Sequence, residues 1–327
     1  MGEFELIQHY FRRQVPAPPG VVLGVGDDCA LLAPRPGMQL AVSSDMLVEG
    51  RHFLSTVAPQ HLAHKALAVN LSDLAACGAR PLAFTLALAL PRADEHFLAP
   101  FARGLFSLAD AQGITLVGGD TTAGPLTLCI TVFGEVPAGQ ALRRDGASAG
   151  DRLWVSGTLG DARLALEVFR GSLSLPGDGF EQVRRAMELP QPRVVLGQAL
   201  RGLATSAIDL SDGLLGDLGH VLRASSVGAV VEADAIPCGA TLAAAGETLR
   251  RDCVLHGGDD YELLFSAPPA RDDAVRAAAA AAGVRVTPIG RLVAEPGLLV
   301  LDAQGRALAV EARGFDHFAD PASQPGG

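Results

Sequence analysis

Apolar and polar positions along this chain recur at two periods. At 126–133, Leu128, Ile130 and Val132 fall on one side and Thr127, Cys129 and Thr131 on the other, the two-residue period of a half-buried strand. The segments 83–90, 39–43 and 21–25 read as further strands, as do 115–117 and Arg152–Ser156. Over 59–77 the period lengthens. Ala63, Ala66, Leu67, Leu71 and Leu74 recur three and four residues apart, which predicts an amphipathic helix entered through Pro59, with Asn70 and Asp73 on its flank. The same spacing predicts helices at 95–112, 159–170, 193–203, 213–225 and 268–282. The last includes the alanine run at 277–282, which favours helix by propensity alone. Short strands interleaved with longer helices indicate a mixed α/β class.

The Ala-, Gly- and Arg-rich segment 138–151 is the expected boundary between two domains, 1–140 and 151–318. The stretch 171–179 is expected to be flexible within the second domain, and the tail 319–327, poor in apolar side chains, to be disordered.

Charge narrows the chemistry. Lys+Arg number 26 against 36 Asp+Glu, a formal net charge of -10, which disfavours a general nucleic-acid or anionic-membrane surface. An acidic protein binds polyphosphate only with cations between the two sets of negative charge. Lys65 is the only lysine, in the context His64-Lys65-Ala66, so neither a P-loop nor the protein-kinase signatures are present. Five widely spaced cysteines, Cys29, Cys77, Cys129, Cys238 and Cys253, form no Cys-x-x-Cys pair and read as free thiols of a reducing compartment. With no stretch of about 20 apolar residues, the expected location is the cytoplasm.

Five short motifs combine an acid with glycine or a hydroxyl. Gly26-Asp27-Asp28 follows a strand, Ser43-Ser44-Asp45 ends one, and Asn70-Leu71-Ser72-Asp73 lies on a helix. Gly118-Gly119-Asp120-Thr121-Thr122 follows the strand 115–117, and Asp209-Leu210-Ser211-Asp212-Gly213 precedes a helix. Taken singly, each is as consistent with a polar turn, a helix N-cap or a solvated charge as with a ligand set. Together they suggest one site. Converging carboxylates repel, by roughly 4 kcal/mol for a pair about 4 Å apart at an effective dielectric near 20. Oxygen donors without a Cys/His set favour magnesium over zinc as the compensating cation.

At these residues the chain resembles the thiamine-monophosphate kinases, within the aminoimidazole ribonucleotide synthetase-like superfamily. The resemblance runs nearly end to end. It is carried by GEFELI at 2–7, GDD at 26–28, VSSDMLVEGRHF at 42–53, NLSDLAACGARP at 70–81, GGDTT at 118–122, PQPRVVLG at 190–197, IDLSDGL at 208–214 and GGDDYELLF at 257–265. It implies an α/β (α+β) protein of two domains with the active site in a cleft between them. The N-terminal domain, a mixed sheet or half-barrel, would form a homodimer, and the C-terminal domain would be α+β. It implies phosphorylation of thiamine monophosphate by ATP to thiamine diphosphate and ADP, by direct in-line transfer assisted by several Mg2+ ions. Carried over position by position, Asp28, Ser43, Ser44, Asp45, Asp73, Asp120, Asp209 and Asp212 resemble the metal ligands. Gly119, Asp120, Arg144 and Ser211 resemble the ATP contacts, and His52, Glu262 and Phe315 the substrate contacts. Departures from the family pattern are Cys29 and Cys77 at small or aliphatic positions, Arg51 at an apolar one and Ala123 at a basic one. Two rival readings are another ATP-using member of the superfamily and a non-catalytic nucleotide-sensing module. Retention of every acidic motif weighs against the second.

Overall fold

The structure, a computed structural model, describes residues 2–13 and 19–310. The chain divides into two compact units, Met1–Ala141 with Glu188–Gln198, and Leu142–Met187 with Ala199–Gly327. Each is a mixed α/β layer structure, as the alternation of strands and helices predicts.

In the first unit a short helix, α1 (Glu3–Leu6), precedes the small antiparallel pair β1 (Val21–Leu23) and β2 (Leu31–Leu32). The main body is β3 (Met38–Val48), α2 (Pro59–Ala76), β4 (Arg80–Leu90), α3 (Glu95–Gln112), β5 (Thr115–Ala123) and β6 (Thr127–Pro137). The four long strands form one sheet in the order β3-β6-β4-β5, antiparallel except for the parallel β4/β5 pair. Leu128, Ile130 and Val132 of β6 are fully buried, whereas their neighbours are only partly so, as the alternation requires. On the opposite face of edge strand β3, Leu40, Val42 and Met46 are 45%, 55% and 56% exposed.

Two strands outrun their expected lengths. β3 does not end at Ser43–Asp45, and β5 does not turn at Gly118-Gly119: both continue, to Val48 and Ala123, paired residue by residue with β6 and β4. Polar residues fail to stop these strands because both lie at sheet edges, where an outward polar side chain stays solvated. The helix α2 also differs from an amphipathic element, since every position from Lys65 to Ala76 except Asp73 is buried, Lys65, Asn70 and Ser72 included. Its second cover is the returning segment 188–198. His61 Nδ1 pairs with the buried Glu188 at 2.7 Å, and His64 Nε2 bonds the Pro190 carbonyl at 2.8 Å.

The second unit opens with β7 (Arg152–Ser156), α4 (Asp161–Phe169) and α5 (Gly177–Glu188); the next helix, α6 (Val194–Ala199), belongs almost wholly to the first unit. The second unit continues with β8 (Ser206–Asp209), α7 (Leu214–Ser225), β9 (Gly228–Glu232), α8 (Ala240–Ala243), α9 (Glu247–His256), β10 (Leu263–Ala267), α10 (Asp272–Ala281), β11 (Val286–Val293) and β12 (Gly297–Leu301). The sheet order is β12-β9-β11-β7-β10-β8, with only β12/β9 parallel. Alternation along β7 divides its side chains between two layers. Leu153 and Val155 join the core made with α4, α7 and α9. Trp154 points the other way, stacked on Phe265 and covered by the Arg276 guanidinium of α10 at 4.9 Å from the ring centre. The stretch expected to be flexible at 171–179 already enters α5 at Gly177, because Phe180 packs edge-on against Phe169 and Val183 is fully buried. Among the described residues no helix is long and apolar enough to cross a membrane.

Asp161, the first residue of α4, is buried, and its Oδ1 has no hydrogen-bond partner among the described residues. Burial pushes its carboxyl up to about 6, against the opposing pull of the Gly239 N–H. The folded state therefore favours the protonated acid. The stability this group contributes is complete below the ordinary Asp range and is lost as pH rises through about 6. Asp161→Asn should match the wild type in thermal melts near pH 4 and exceed it near pH 8, by at most about 3 kcal/mol. A gap that does not change with pH would refute this.

Candidate active site

Two acids of the first unit, Asp45 and Asp73, are set by one edge strand and one helix. In β3, Ser43, Asp45 and Leu47 share the side facing α2, and Leu40, Val42, Ser44 and Met46 share the other. Ser43 Oγ donates to the Asp73 carboxylate. Asp73 lies one turn beyond Asn70 on α2 and so on the same helix face. Asn70 is fully buried, and both ends of its amide are used. Its Oδ1 accepts the Asp45 N–H at 3.0 Å, and its Nδ2 donates to the Ala66 carbonyl at 3.0 Å. Asn70 thus ties the helix directly to the main chain of β3 at Asp45. Ser44 is separated from this group by the strand itself, its Oγ lying 2.9 Å from Thr131 Oγ1 on the open face.

Three further candidates of this unit sit elsewhere. Asp28 is exposed in the loop after β1, its N–H bonded to the Asp27 carboxylate at 2.8 Å. His52 follows β3, and its Nδ1 accepts the Val48 N–H at 3.1 Å, which leaves Nε2 to carry the ring proton in the neutral form. Asp120 lies on β5, the opposite edge of the sheet from Asp45 and three strand positions away. At ordinary interstrand spacing this is about 14 Å. The adjoining Gly119, at φ +145°, crosses so close to β4 that a Cβ would overlap the Leu86 carbonyl oxygen.

In the second unit, β8 delivers Asp209 to a tight loop, Leu210 to Gly213, that opens α7. Asp209 is buried, and Gly213 takes φ +105°. This loop is joined by main-chain hydrogen bonds to the loop at 258–262. Asp259 N–H donates to the Ser211 carbonyl at 2.9 Å, Tyr261 N–H to that of Leu210 at 2.8 Å, and Leu210 N–H to that of Glu262 at 2.9 Å. The conformation has a steric cost, since Asp259 and Tyr261 take φ of +70° and +50°. Glu262 is buried, and its Oε2 accepts the Ser156 hydroxyl at 2.5 Å. Asp260 accepts the Gly160 N–H, and burial raises its carboxyl well above the usual range. Arg144 is exposed, with its carbonyl bonded to Ser225 of α7. His220 on the same helix is kept below its ordinary pKa first by burial, then by the nearby Arg223 and Arg144 charges, and Asp212 opposes them.

The sequence reading did not single out Asn70 as a partner of Asp45, nor Ser156, nor Asp217. Asp217 accepts the N–H groups of Ser211 and Asp212, each at 3.1 Å, and its carboxyl is pushed up to about 8 by burial first and by Asp212 and Asp209 next. The signals available were an Asn three residues before Asp73 and an Asp in the first turn after Ser-Asp-Gly, the spacing at which a side chain can reach back to loop amides. Phe315 lies outside the described residues. Among those described, no three His, Cys, Asp or Glu side chains form a ready-made metal cage. The donors present fit Mg2+, which is commonly held by one or two carboxylates together with water and substrate phosphates.

The chain matches the model of the AIR synthase related protein N-terminal domain over residues 26–136 and that of the corresponding C-terminal domain over residues 148–302. It is 45% identical over 325 residues to the thiamine-monophosphate kinase of Salmonella typhimurium, covering 98% of this chain and 99% of that relative. The crystal structure of thiamine-monophosphate kinase from Stenotrophomonas maltophilia K279a is 44% identical with a TM-score of 0.83, covering 93% of this chain and 96% of that one. AaThiL, complexed with AMPPCP and TMP, is 27% identical with a TM-score of 0.76, covering 88% and 89%.

Substituting Asn70 by Leu should cost about 2 kcal/mol in urea unfolding, because it removes the buried amide that accepts from the Asp45 N–H and donates to the Ala66 carbonyl. Unchanged stability would show that the Asp45 amide does not depend on it. Gly119→Ala, which forces β5 away from β4, should lower the soluble yield of folded protein sharply. Wild-type yield and melting temperature would contradict the close approach.

Proposed function

The chain belongs to the thiamine-monophosphate kinase family of AIR synthase related proteins, and we propose that it transfers the γ-phosphoryl group of ATP to thiamine monophosphate. The observation that carries this reading is 45% identity over almost the whole chain to a thiamine-monophosphate kinase. The binding of AMPPCP and TMP by AaThiL supports the same pair of substrates.

In the proposed reaction, a phosphate oxygen of thiamine monophosphate forms a bond to the γ-phosphorus as the bond to the bridging β–γ oxygen breaks. The products are thiamine diphosphate and ADP. The nucleophile is already an anion, so no side chain needs to remove a proton, and the barrier falls through positioning and charge neutralisation. Several Mg2+ ions, when bound, supply that neutralisation. Asp28, Ser43, Ser44, Asp45, Asp73, Asp120, Asp209 and Asp212 are the proposed residues that hold them. The wide spacing of Asp45 and Asp120 suits ions spread along a polyphosphate better than one cage. Gly119, Asp120, Arg144 and Ser211 are assigned to the nucleotide, and His52 and Glu262, with Phe315, to thiamine monophosphate.

A second copy of the chain is the proposed cover of the open sheet face, because Leu40, Val42 and Met46, flanking Ser44, otherwise leave three large apolar side chains of β3 in water. The reading places the enzyme in the cytoplasm.

Incubation with Mg2+, ATP and thiamine monophosphate should yield thiamine diphosphate and an equal amount of ADP, resolved by chromatography, with none formed in EDTA or from free thiamine. ATP binding without any thiamine diphosphate would overturn the assignment. Asp45→Asn and Asp120→Asn should each lower kcat by about 100-fold or more while melting like the wild type. Near-normal turnover in both would remove these acids from the reaction. The double variant Val42→Glu, Met46→Glu should scatter light as a monomer; a wild-type monomer would rule out the proposed interface.

A further inference from the structure

The loop from Leu210 to Gly213 is gripped from two directions. On one side the Asp259 and Tyr261 amides hold the Ser211 and Leu210 carbonyls. On the other, a single oxygen of Asp217, Oδ2, accepts both the Ser211 and the Asp212 amide at 3.1 Å. Asp217 is itself only 3% exposed, and its own N–H donates to the Gly213 carbonyl in the first turn of α7. Its side chain and its main chain thus close around the same four residues. Gly258 packs against the Ser211 carbonyl, where a Cβ would overlap it, so the two loops cannot shift independently.

We propose that Asp217 is a positioning residue for the loop from Leu210 to Gly213, holding the Ser211–Asp212 peptides in the one orientation that presents Asp209, Ser211 and Asp212 to nucleotide and metal. The inference rests on the nucleotide and metal roles assigned above. Asp217 itself sits behind the loop and acts through the two amides. The chemistry required is that of an oxygen acceptor of aspartate length, not a negative charge facing the substrate. Asparagine can replace it, because its Oδ1 can take both N–H bonds; alanine cannot.

The test compares Asp217→Asn and Asp217→Ala with the wild type. Amide hydrogen exchange at Ser211 and Asp212, followed by NMR in the ligand-free protein, should speed up about 10-fold or more in the Ala variant and stay near wild type in the Asn variant. Half-saturating Mg2+ and the KM for ATP should rise about 10-fold in the Ala variant and be restored by Asn. Val300→Ala, which truncates the core at a distance from the loop, controls for lost stability and should leave both quantities unmoved. An Ala variant that exchanges these amides at the wild-type rate, or an Asn variant as impaired as Ala, would overturn the proposal. If the wild type makes no thiamine diphosphate, the reaction assignment fails separately. Amide exchange and binding of Mg2+ with a non-hydrolysable ATP analogue still decide the role of Asp217, since neither needs turnover.

Discussion

Carboxylates collected to serve a polyphosphate repel one another, by several kcal/mol at close range, so their positions must be imposed by groups that are not themselves acids. Buried or half-buried partners do this in both units. Asn70 fixes the backbone at Asp45, and Ser43 meets Asp73. The Gly160 amide holds Asp260, and Ser156 holds Glu262. Each partner is a neutral donor or acceptor on a neighbouring element, so the acids are oriented before any cation arrives. The cost of such crowding is visible in the raised carboxyls of Asp217 and Asp260, where burial outweighs every opposing hydrogen bond.

The strands that carry Asp45, Asp120 and Asp209 are all sheet edges: β3 and β5 in the first unit and β8 in the second. An edge is where a sheet leaves main-chain groups available beside an acid, even where, as at Asp209, the acid itself is buried. Central strands are spent on packing, as Leu128, Ile130 and Val132 on β6 and Trp154 on β7 illustrate. The same economy explains the glycines beside the acids. Gly119 lets β5 approach β4 where any side chain would collide, and Gly213 makes the turn into α7.

Much of the fold was legible in the chain. The alternation over 126–133, the periodic run at 59–77 and the long helix at 95–112 mark real elements, because each buries one consistent set of side chains. The strand ends were misread at Ser43–Asp45 and at Gly118-Gly119, since polarity and glycine signal a turn only when no neighbouring strand supplies a ladder. The helix α2 was read as amphipathic, yet the chain returns at 188–198 to cover its remaining face, and no local pattern encodes that return. β9 to β12, α5 and α9 were not assigned, the strands being short apolar runs without a distinctive period and the two helices mostly polar.

What the sequence by itself determined is the chemistry: oxygen donors in five acidic motifs, a single lysine, no P-loop, and a motif order shared with one enzyme family. Those are properties of residue type and local spacing, which the linear chain carries. Only the tertiary structure decided which donors meet. It separated Ser44 from Ser43 by strand alternation, set Asp120 on the far edge from Asp45, and joined the 209–213 and 258–262 loops by main-chain bonds. It also brought Asn70 and Asp217 against amides whose orientation they hold. Contacts of this kind depend on strand order and register, and these are settled by how whole layers pack rather than by any one segment.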